Sequence, residues 1–364
     1  MGGNAVTSTT RLTSSELMVL AARVQRALSA VLPEHHQSEP VRFHSGKRDH
    51  GDFDVLVACD DVEYVDGLGE ALNASECKVN RPKKGGSDPN RKVTSYSVLV
   101  GHKPFQVDVV QVPESAFSFA RWYFAFNDLG NLLGRVARRL GFKLSESGLW
   151  CEVDADGERV GEVAVTRDWD EALTFLGYDS DRYWAGVEGG FDSLESLFEF
   201  VASSPHFNPA PFRPENRSSA DRRRDAMRPT YQAFLAWLDQ QGSHLPVMEA
   251  CDEELLRVSA LTQAARDFPL FSRGVSEMLD HHRRMKSVHQ RFNGRVVSDA
   301  TGLVGSDLGA FLRAFRERMG SERALAEWVE SRSDSDVGAA LAVMAKAWRA
   351  QVARHEAEAK SGVM

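Results

Sequence analysis

Three aspartates carry the chemistry for which this sequence is best equipped. Asp52 and Asp54 lie in Phe43-His-Ser-Gly-Lys-Arg-Asp-His-Gly-Asp-Phe-Asp-Val-Leu-Val57, and Asp108 lies in Phe105-Gln-Val-Asp-Val-Val110. A turn-like run, Ser45 to Gly51, leads into a β-prone segment that begins with the first two. Side chains alternate across a strand, so Asp52 and Asp54 project on one face and Phe53, Val55 and Val57 on the other. Val107 and Val109 likewise point away from Asp108. A carboxylate inside an apolar strand is costly unless something satisfies it. Two such strands side by side would gather three negative charges, which repel and raise one another's pKa. Divalent cations relieve this. Mg²⁺ favours carboxylate oxygens plus substrate phosphates, and Mn²⁺ would also fit. Two ions roughly 3.5–4 Å apart can clamp the attacking and leaving oxygens of a phosphoryl displacement. The layout suits transfer of a nucleotide from a triphosphate to a hydroxyl. Asp-x-Asp at a strand start is also common as a turn or a cap. Gly51, the Val-Leu-Val run and a second strand with one central Asp favour the metal reading.

These residues need a sheet and helices to hold them. Thr13 to Leu32 reads as an amphipathic helix with Leu17, Leu20, Val24, Leu28 and Val31 on one stripe. Thr13 and Glu16 have capping-box spacing, and Pro33 lies just past the end. Strands are expected at Val41–Phe43, Phe53–Ala58, Lys92–Val100 and Phe105–Val112, the last two joined as a hairpin through Gly101–Pro104. Between them, Arg81 to Arg91 reads as a basic loop rich in Gly and Pro. Phe117 to Phe142 looks helical. Cys151 to Val165 looks like a hairpin on Asp154-Ala-Asp-Gly157, where Asp-Gly is a strong turn signal. Thr166 to Ser204 carries short helices, and Pro205 to Ser219 resembles a linker. Helices are expected at 230–240, 253–266, 271–290, 306–319 and 336–357. The fold class is therefore α+β. Residues 1–140 form a catalytic head with a short mixed sheet and helices on one face. Residues 141–210 form a small mixed segment and linker, and 211–364 a helical C-terminal domain. The cleft is expected between head and tail, with the loop from Arg81 to Lys92 at its rim.

At this point the motifs resemble those of a known family. Gly51-Asp-Phe-Asp-Val-Leu-Val57 resembles the palm motif of the DNA polymerase β nucleotidyltransferase superfamily, and Val107-Asp-Val109 resembles its third metal-ligand strand. The order of elements is similar too: helix, Gly/Ser turn, Asp-x-Asp strand, further strand, single-Asp strand. The resemblance implies a palm-like sheet in which Asp52 and Asp54 bind two Mg²⁺ ions. Asp108 would bind the catalytic ion and help deprotonate the attacking hydroxyl. Ser45 and Gly46, with Gly51, would lie near the triphosphate, and Lys47 or Arg48 would be its charge partners. The turn departs from the superfamily's usual Gly-Ser with a longer spacer: here it is Ser45-Gly46, and only residues 47–51 intervene. Some phage-encoded nucleotidyltransferases are similarly compact, and the whole layout resembles theirs. Arg121-Trp-Tyr-Phe-Ala-Phe-Asn-Asp-Leu-Gly-Asn131 is similar to the segment that contacts sugar and base, which makes Asn127, Asp128 and Asn131 candidates. Aromatics there more often form core. Asn293-Gly and Gly302 to Gly309 resemble a turn and helix of tRNA nucleotidyltransferases and poly(A) polymerases. Read from the residues alone, that is a glycine turn with Ser306 as helix N-cap, whose N-terminus can meet an RNA phosphate.

The bulk properties limit the alternatives. At 364 residues the chain can form two or three domains. No apolar run reaches a membrane span, and the start lacks a secretory layout. The cytoplasm is the expected compartment, a host's if the chain is phage-encoded. Cys59, Cys77, Cys151 and Cys251 form no C-x-x-C pair and read as reduced thiols. A net charge of −8 excludes a globally basic nucleic-acid binder. Local basic clusters at Arg81–Lys92, Arg135–Lys143, Arg213–Arg228 and His281–Arg295 can still bind phosphate, or be solvated helix faces. Lys83, Lys84, Arg91 and Lys92 are the nucleic-acid candidates. The adjacent pairs His35–His36 and His281–His282 do not face one another as metal ligands would. His44 and His50 flank the turn as substrate contacts or as packing. Trp122, Tyr123, Trp150, Trp184 and Trp237 can stack on bases or, by default, form core. No Walker A sequence or G-x-S-x-G elbow is present. The expected partners are a nucleoside triphosphate and an RNA 3′ end, tRNA-like. The alternatives are transfer to a protein or small molecule, and a non-catalytic binding or structural protein on the same fold.

Overall fold

The structure, a computed structural model, describes residues 5–7, 9–34, 36–60, 67–80, 92–241 and 253–361. It is a mixed α/β architecture with a mixed sheet and a helical C-terminal region. The sheet-bearing part opens with β1 (Leu12–Thr13), α1 (Ser14–Val31), β2 (Ser38–Pro40), β3 (Asp49–His50) and β4 (Asp52–Ala58). It continues through α2 (Leu68–Ala71), β5 (Glu76–Asn80), β6 (Lys92–Val100), β7 (Lys103–Val112), α3 (Glu114–Tyr123) and α4 (Leu129–Arg139).

Thr13 caps α1 as its spacing predicts: its side chain accepts from the Glu16 N–H, and the Glu16 carboxylate accepts from the Thr13 N–H at 2.9 Å. The helix buries Leu17, Leu20, Val24 and Leu28. That stripe meets Phe53, Val55 and Val57 of β4, Phe105, Val107 and Val109 of β7, and Tyr96 and Val98 of β6 in one core. The sheet order is β2-β4-β7-β6-β5, with β4 and β7 parallel and the other neighbours antiparallel. Alternation sends the even-numbered residues of β4 and β7 to the opposite face. There Leu56, Ala58, Val110 and Val112 pack with Phe117 and Ala120 of α3. The sheet thus carries helices on both faces, not on one as expected, because the far half of the second face is apolar as well. The near half of that face is left to Asp52, Asp54 and Asp108.

The short strand lies at β2, three residues before the expected Val41–Phe43. Val41 still donates one further bond to the Asp54 carbonyl at 2.9 Å, after which the Arg42 carbonyl accepts from Phe126 N–H at 2.7 Å. The chain is drawn away from the sheet at that point. The β6–β7 hairpin forms as predicted, with Gly101 at positive φ in its turn.

Beyond α4 come β8 (Phe142–Ser145), β9 (Gly148–Ala155) and β10 (Glu158–Thr166), a three-stranded sheet of order β10-β9-β8. Asp156 and Gly157 both have positive φ, 55° and 79°, as a two-residue Asp-Gly hairpin turn requires. Then come α5 (Trp169–Phe175), α6 (Ser180–Gly189), α7 (Leu194–Ala202), α8 (Ser219–Ala226), α9 (Pro229–Gln241) and α10 (Glu253–Asp267). The Pro-rich stretch before α8 buries Phe207 and Phe212, and the Tyr231 hydroxyl donates to the Phe212 carbonyl at 2.7 Å.

The chain divides into two compact units: Met1–Val153 with Glu162–Gly274, and Asp154–Gly161 with Val275–Met364. The second contains most of α11 (Pro269–Arg291), then α12 (Gly294–Thr301), α13 (Gly305–Met319), α14 (Glu322–Glu330) and α15 (Asp334–Ser361). Its core is built on Phe292, Val297, Phe311, Phe315, Val329 and Leu341. Asn293 caps α12 by accepting from the Arg295 and Val296 N–H groups. Gly302 ends that helix in the left-handed conformation. Ser306 is not the N-cap of α13. That helix starts earlier, with Val304 as an N-cap that makes no side-chain bond, so Ser306 falls within the first turn. No helix among the described residues is long and apolar enough to cross a membrane.

Candidate metal centre

Strand register brings the three aspartates together. In the parallel β4–β7 pair, Asp54 stands opposite Asp108 and Asp52 opposite Gln106. Each aspartate is partly buried, and one carboxylate oxygen from each lies within 4.8 Å of the others, an arrangement that can hold a metal ion. It is the one such cluster of His, Cys, Asp and Glu among the described residues. Burial first, then the charges of Asp52 and Asp108, push the Asp54 carboxyl up to about 8. Burial also pushes Asp108 up, against the polar groups of Ser95 and Gln106 that hold it down. The cluster therefore lacks positive charge, and a cation bound by carboxylate oxygens is the kind of group that supplies it.

Gln106, which the sequence did not single out, fixes one of these carboxylates. Its Nε2 donates to both oxygens of Asp108, at 3.0 and 2.8 Å. Its Oε1 accepts from the Ala5 and Val6 N–H groups at 2.8 and 3.3 Å. With its amide held at both ends, the orientation of the Asp108 carboxylate is set. Ser95 stands in register with Asp108 from the other side, with its hydroxyl buried beside that carboxylate.

Two lobes of one cleft flank the carboxylates. One, of about 540 Å³, is walled by Ser95, Asn80 and Lys78. The other, of about 220 Å³, is walled by Arg11, Arg42, Lys47 and the start of α9. Asp52, Asp54, Val41, Phe124 and Asn127 border both. Of the expected phosphate contacts, Lys47 and Gly51 line the smaller lobe. Lys47 has its Nζ 5.7 Å from the Phe43 ring and no ion pair among the described residues. Arg11, paired with Asp49, and Arg42, paired with Glu39 at 3.5 Å, join it there. Neither arginine was legible as a site residue, because both reach the cleft from separate segments.

Ser45 and Gly46 are engaged elsewhere. The Ser45 N–H donates to the carbonyls of Gly190 and Phe191 at 2.8 and 3.0 Å. A Cβ on Gly46 would sit 2.1 Å from the Asp192 carbonyl oxygen, so this position requires glycine for close approach. Neither residue lines the cleft, and neither does Arg48, which is exposed. The turn is a structural fastening rather than an open phosphate cradle. β1 and β3 pin it to the start of α1, with Leu12 opposite His50. His50 is buried, 3.2 Å from Ser14 Oγ and edge-on to Phe43, and it also lines the smaller lobe of the cleft. Burial pushes it down to about 4.

Asn127 lines the cleft, and its Nδ2 donates to Thr230 Oγ1 at 3.3 Å. Phe126 and Asn127 both have positive φ, 57° and 63°. Such a conformation is uncommon outside glycine and strained for a bulky residue, and here it sets the cleft wall. Asp128 also lines the cleft but is paired with Arg228 at 3.0 Å. Asn131 lies one helical turn further and does not reach it. Trp122 packs edge-on against Trp184 and Tyr183, and Trp237 is buried against Phe234. Lys92 is buried at the start of β6, which removes it from the expected surface contacts. Lys83, Lys84 and Arg91 lie outside the described residues. Cys59 and Cys151 are buried and Cys77 is exposed.

No protein-family model matches this sequence, and no curated protein matches it either.

Proposed function

We infer that this chain is a metal-dependent nucleotidyltransferase, moving a nucleoside monophosphate from a nucleoside triphosphate to a hydroxyl, with the 3′ end of a tRNA-like RNA as the favoured acceptor. One observation carries the reading: three carboxylates from two parallel strands share one face beside a cleft lined with cations. The mixed sheet, with α1 behind it and an Asp-x-Asp strand beside a single-Asp strand, supports a palm-like head. Asp52, Asp54 and Asp108 would hold Mg²⁺. When bound, the ions supply charge stabilisation of the α-phosphate and of the departing pyrophosphate.

The chain's own residues do the rest. Asp108, oriented by Gln106, takes the proton of the attacking hydroxyl. The acceptor oxygen forms a bond to the α-phosphorus as the bond to pyrophosphate breaks. Arg11, Arg42 and Lys47 neutralise the triphosphate, and Asn127 faces the sugar or base. The test is incubation with each labelled nucleoside triphosphate, Mg²⁺ and total RNA, for wild type and Asp52→Ala/Asp54→Ala. Label in RNA with wild type alone supports the reading. Label in protein or in a small acceptor keeps the chemistry and changes the acceptor.

A second reading, a non-catalytic binding protein on this fold, draws on the engaged Ser45 N–H. It predicts that Asp54→Ala leaves cellular function intact and that no nucleotide is transferred to any acceptor.

A further inference from the structure

Two basic stretches that the metal centre leaves aside, around Arg135 and between Arg213 and Arg228, converge on one cavity of about 420 Å³. Arg135 and Arg138 reach it from α4, Arg217 from just before α8, Arg224 from α8 and Arg228 from just after it. Asp221 and Asp225 are the carboxylates that line it. Both are already shared. Asp225 accepts from Arg135 at 2.8 Å and from Arg217 at 3.2 Å, while Asp221 pairs with Arg217 and Arg224. Arg228 is held by Asp128. Arg138 is exposed and has no ion-pair partner among the described residues.

Donors are left over as well as charge. The Arg135 side chain is 8% exposed, and its Nε is buried with no hydrogen-bond partner. The Nδ2 of Asn131, in the same lining, is also buried without one. A purely structural network would close on itself, because buried charges and donors are costly when unpaired. Five guanidinium groups against three carboxylates (Asp221, Asp225 and Asp128) leave an excess of positive charge in the wall, which fits an oxyanion. Arginine's planar fork matches phosphate in particular. The cavity adjoins the metal cleft: Asp128 borders the cleft, and its partner Arg228 borders the cavity.

We propose that this cavity binds phosphate groups of the single-stranded nucleic acid whose 3′ end enters the metal cleft. The inference rests on the nucleotidyltransferase reading for the identity of its ligand. The phosphates of a free nucleotide are the other source of the same chemistry, and the test separates them.

The test uses the full chain, a fluorescein-labelled single-stranded RNA and an anisotropy titration over a salt series in EDTA, so that nothing is transferred. The variant is Arg138→Ala/Arg224→Ala. Both side chains are exposed, Arg224 at 70%, and circular dichroism checks that the variant folds. Each lost phosphate contact on a single strand makes the slope of log K against log salt shallower by about 0.7. The expected result is roughly tenfold weaker RNA binding at low salt and a slope shallower by about 1.4, with ATP affinity, measured separately by calorimetry with Mg²⁺ and no EDTA, unchanged. Identical affinity and slope would overturn the proposal, as would wild type that binds no RNA. A loss seen only with ATP or inorganic pyrophosphate would overturn it in favour of a free-nucleotide site. Arginine-dependent RNA binding by a protein that transfers nothing would keep this site and sink the catalytic reading. Transfer that is intact, with binding indifferent to both arginines, would do the reverse.

Discussion

Replacing Asp54 by Asn should stabilise the metal-free protein at alkaline pH. The Asp54 carboxyl is pushed from 3.8 to about 8 by burial and by its two acidic neighbours. The native state therefore binds a proton that the unfolded chain releases near pH 4. Stability then falls as pH rises between the unfolded and folded values, and the full cost is present above about 8. At about 1.36 kcal/mol per unit, the displacement sets a ceiling on the order of 5 kcal/mol. Relaxation and water entry reduce such penalties, so about 2 kcal/mol is the working expectation. Asn keeps the shape and cannot ionise. In EDTA, Asp54→Asn should be more stable than wild type at pH 8.5, and the gain should shrink to nothing by pH 4. Urea denaturation at pH 4, 6 and 8.5 reads this directly. Adding Mg²⁺ should reverse the order at pH 8.5, because the cation stabilises wild type by mass action and loses a ligand in the variant. A difference that is the same at every pH, or wild type unaffected by Mg²⁺, would refute the account of the cluster.

The remaining expectations concern the supports. Gln106→Leu should fold but lose about 10–100-fold in Mg²⁺ affinity or transfer rate, the usual cost of removing a ligand's orienting partner; a Mg²⁺ titration of activity checks it. Lys47→Ala should raise KM for the triphosphate about tenfold or more, as loss of a hydrogen bond to a charged group does, with kcat changed less; steady-state kinetics separates the two. Gly46→Ala should cost about 1–3 kcal/mol, since its Cβ would fall 2.1 Å from the Asp192 carbonyl; an unchanged melting temperature would show that the α6–α7 turn yields freely. Thr13→Ala should lower stability by about 1 kcal/mol through loss of the α1 capping box.

What could be read in the sequence was what depends on local period. Alternation assigned Asp52, Asp54 and Asp108 to one face and Val55, Val57, Val107 and Val109 to the other, and the core divides that way. The 3.6 stripe and the Thr13–Glu16 spacing gave α1 with its cap. The β5 edge strand carries no such pattern: Glu76 to Asn80 is largely exposed and takes its shape from pairing with β6. The expected strand at Val41–Phe43 lies three residues late because the β-prone residues follow Pro40, whereas Ser38–Pro40 make the pairing with Val55–Val57 of β4. Gln106 reads as an unremarkable strand residue. Its role depends on a contact with Ala5 and Val6, a hundred residues away. The converging arginines were visible only as two separate basic runs, since nothing local states that α4 and α8 share a wall.

The Ser45–Gly46 turn ties these observations into one division of labour. A backbone phosphate cradle needs open N–H groups, and here the Ser45 N–H already serves the carbonyls at 190 and 191. The turn instead fixes the segment on its C-terminal side: β3 pairs with β1, and Gly51 leads into Asp52. Holding the turn thus holds the register of β4 against β7, on which the spacing of all three carboxylates depends. In the proposed function the grip on phosphate would pass to side chains, Lys47 from the turn itself and Arg11 and Arg42 from either side, all three of which line the cleft. Side-chain cations bind phosphate as charge, with less directional demand than a nest of N–H groups. In such a site the geometric demand falls on the carboxylates. That is where the structure concentrates its constraints: Gln106 bonded at both ends, Ser95 in register, and the strained Phe126–Asn127 turn at the wall.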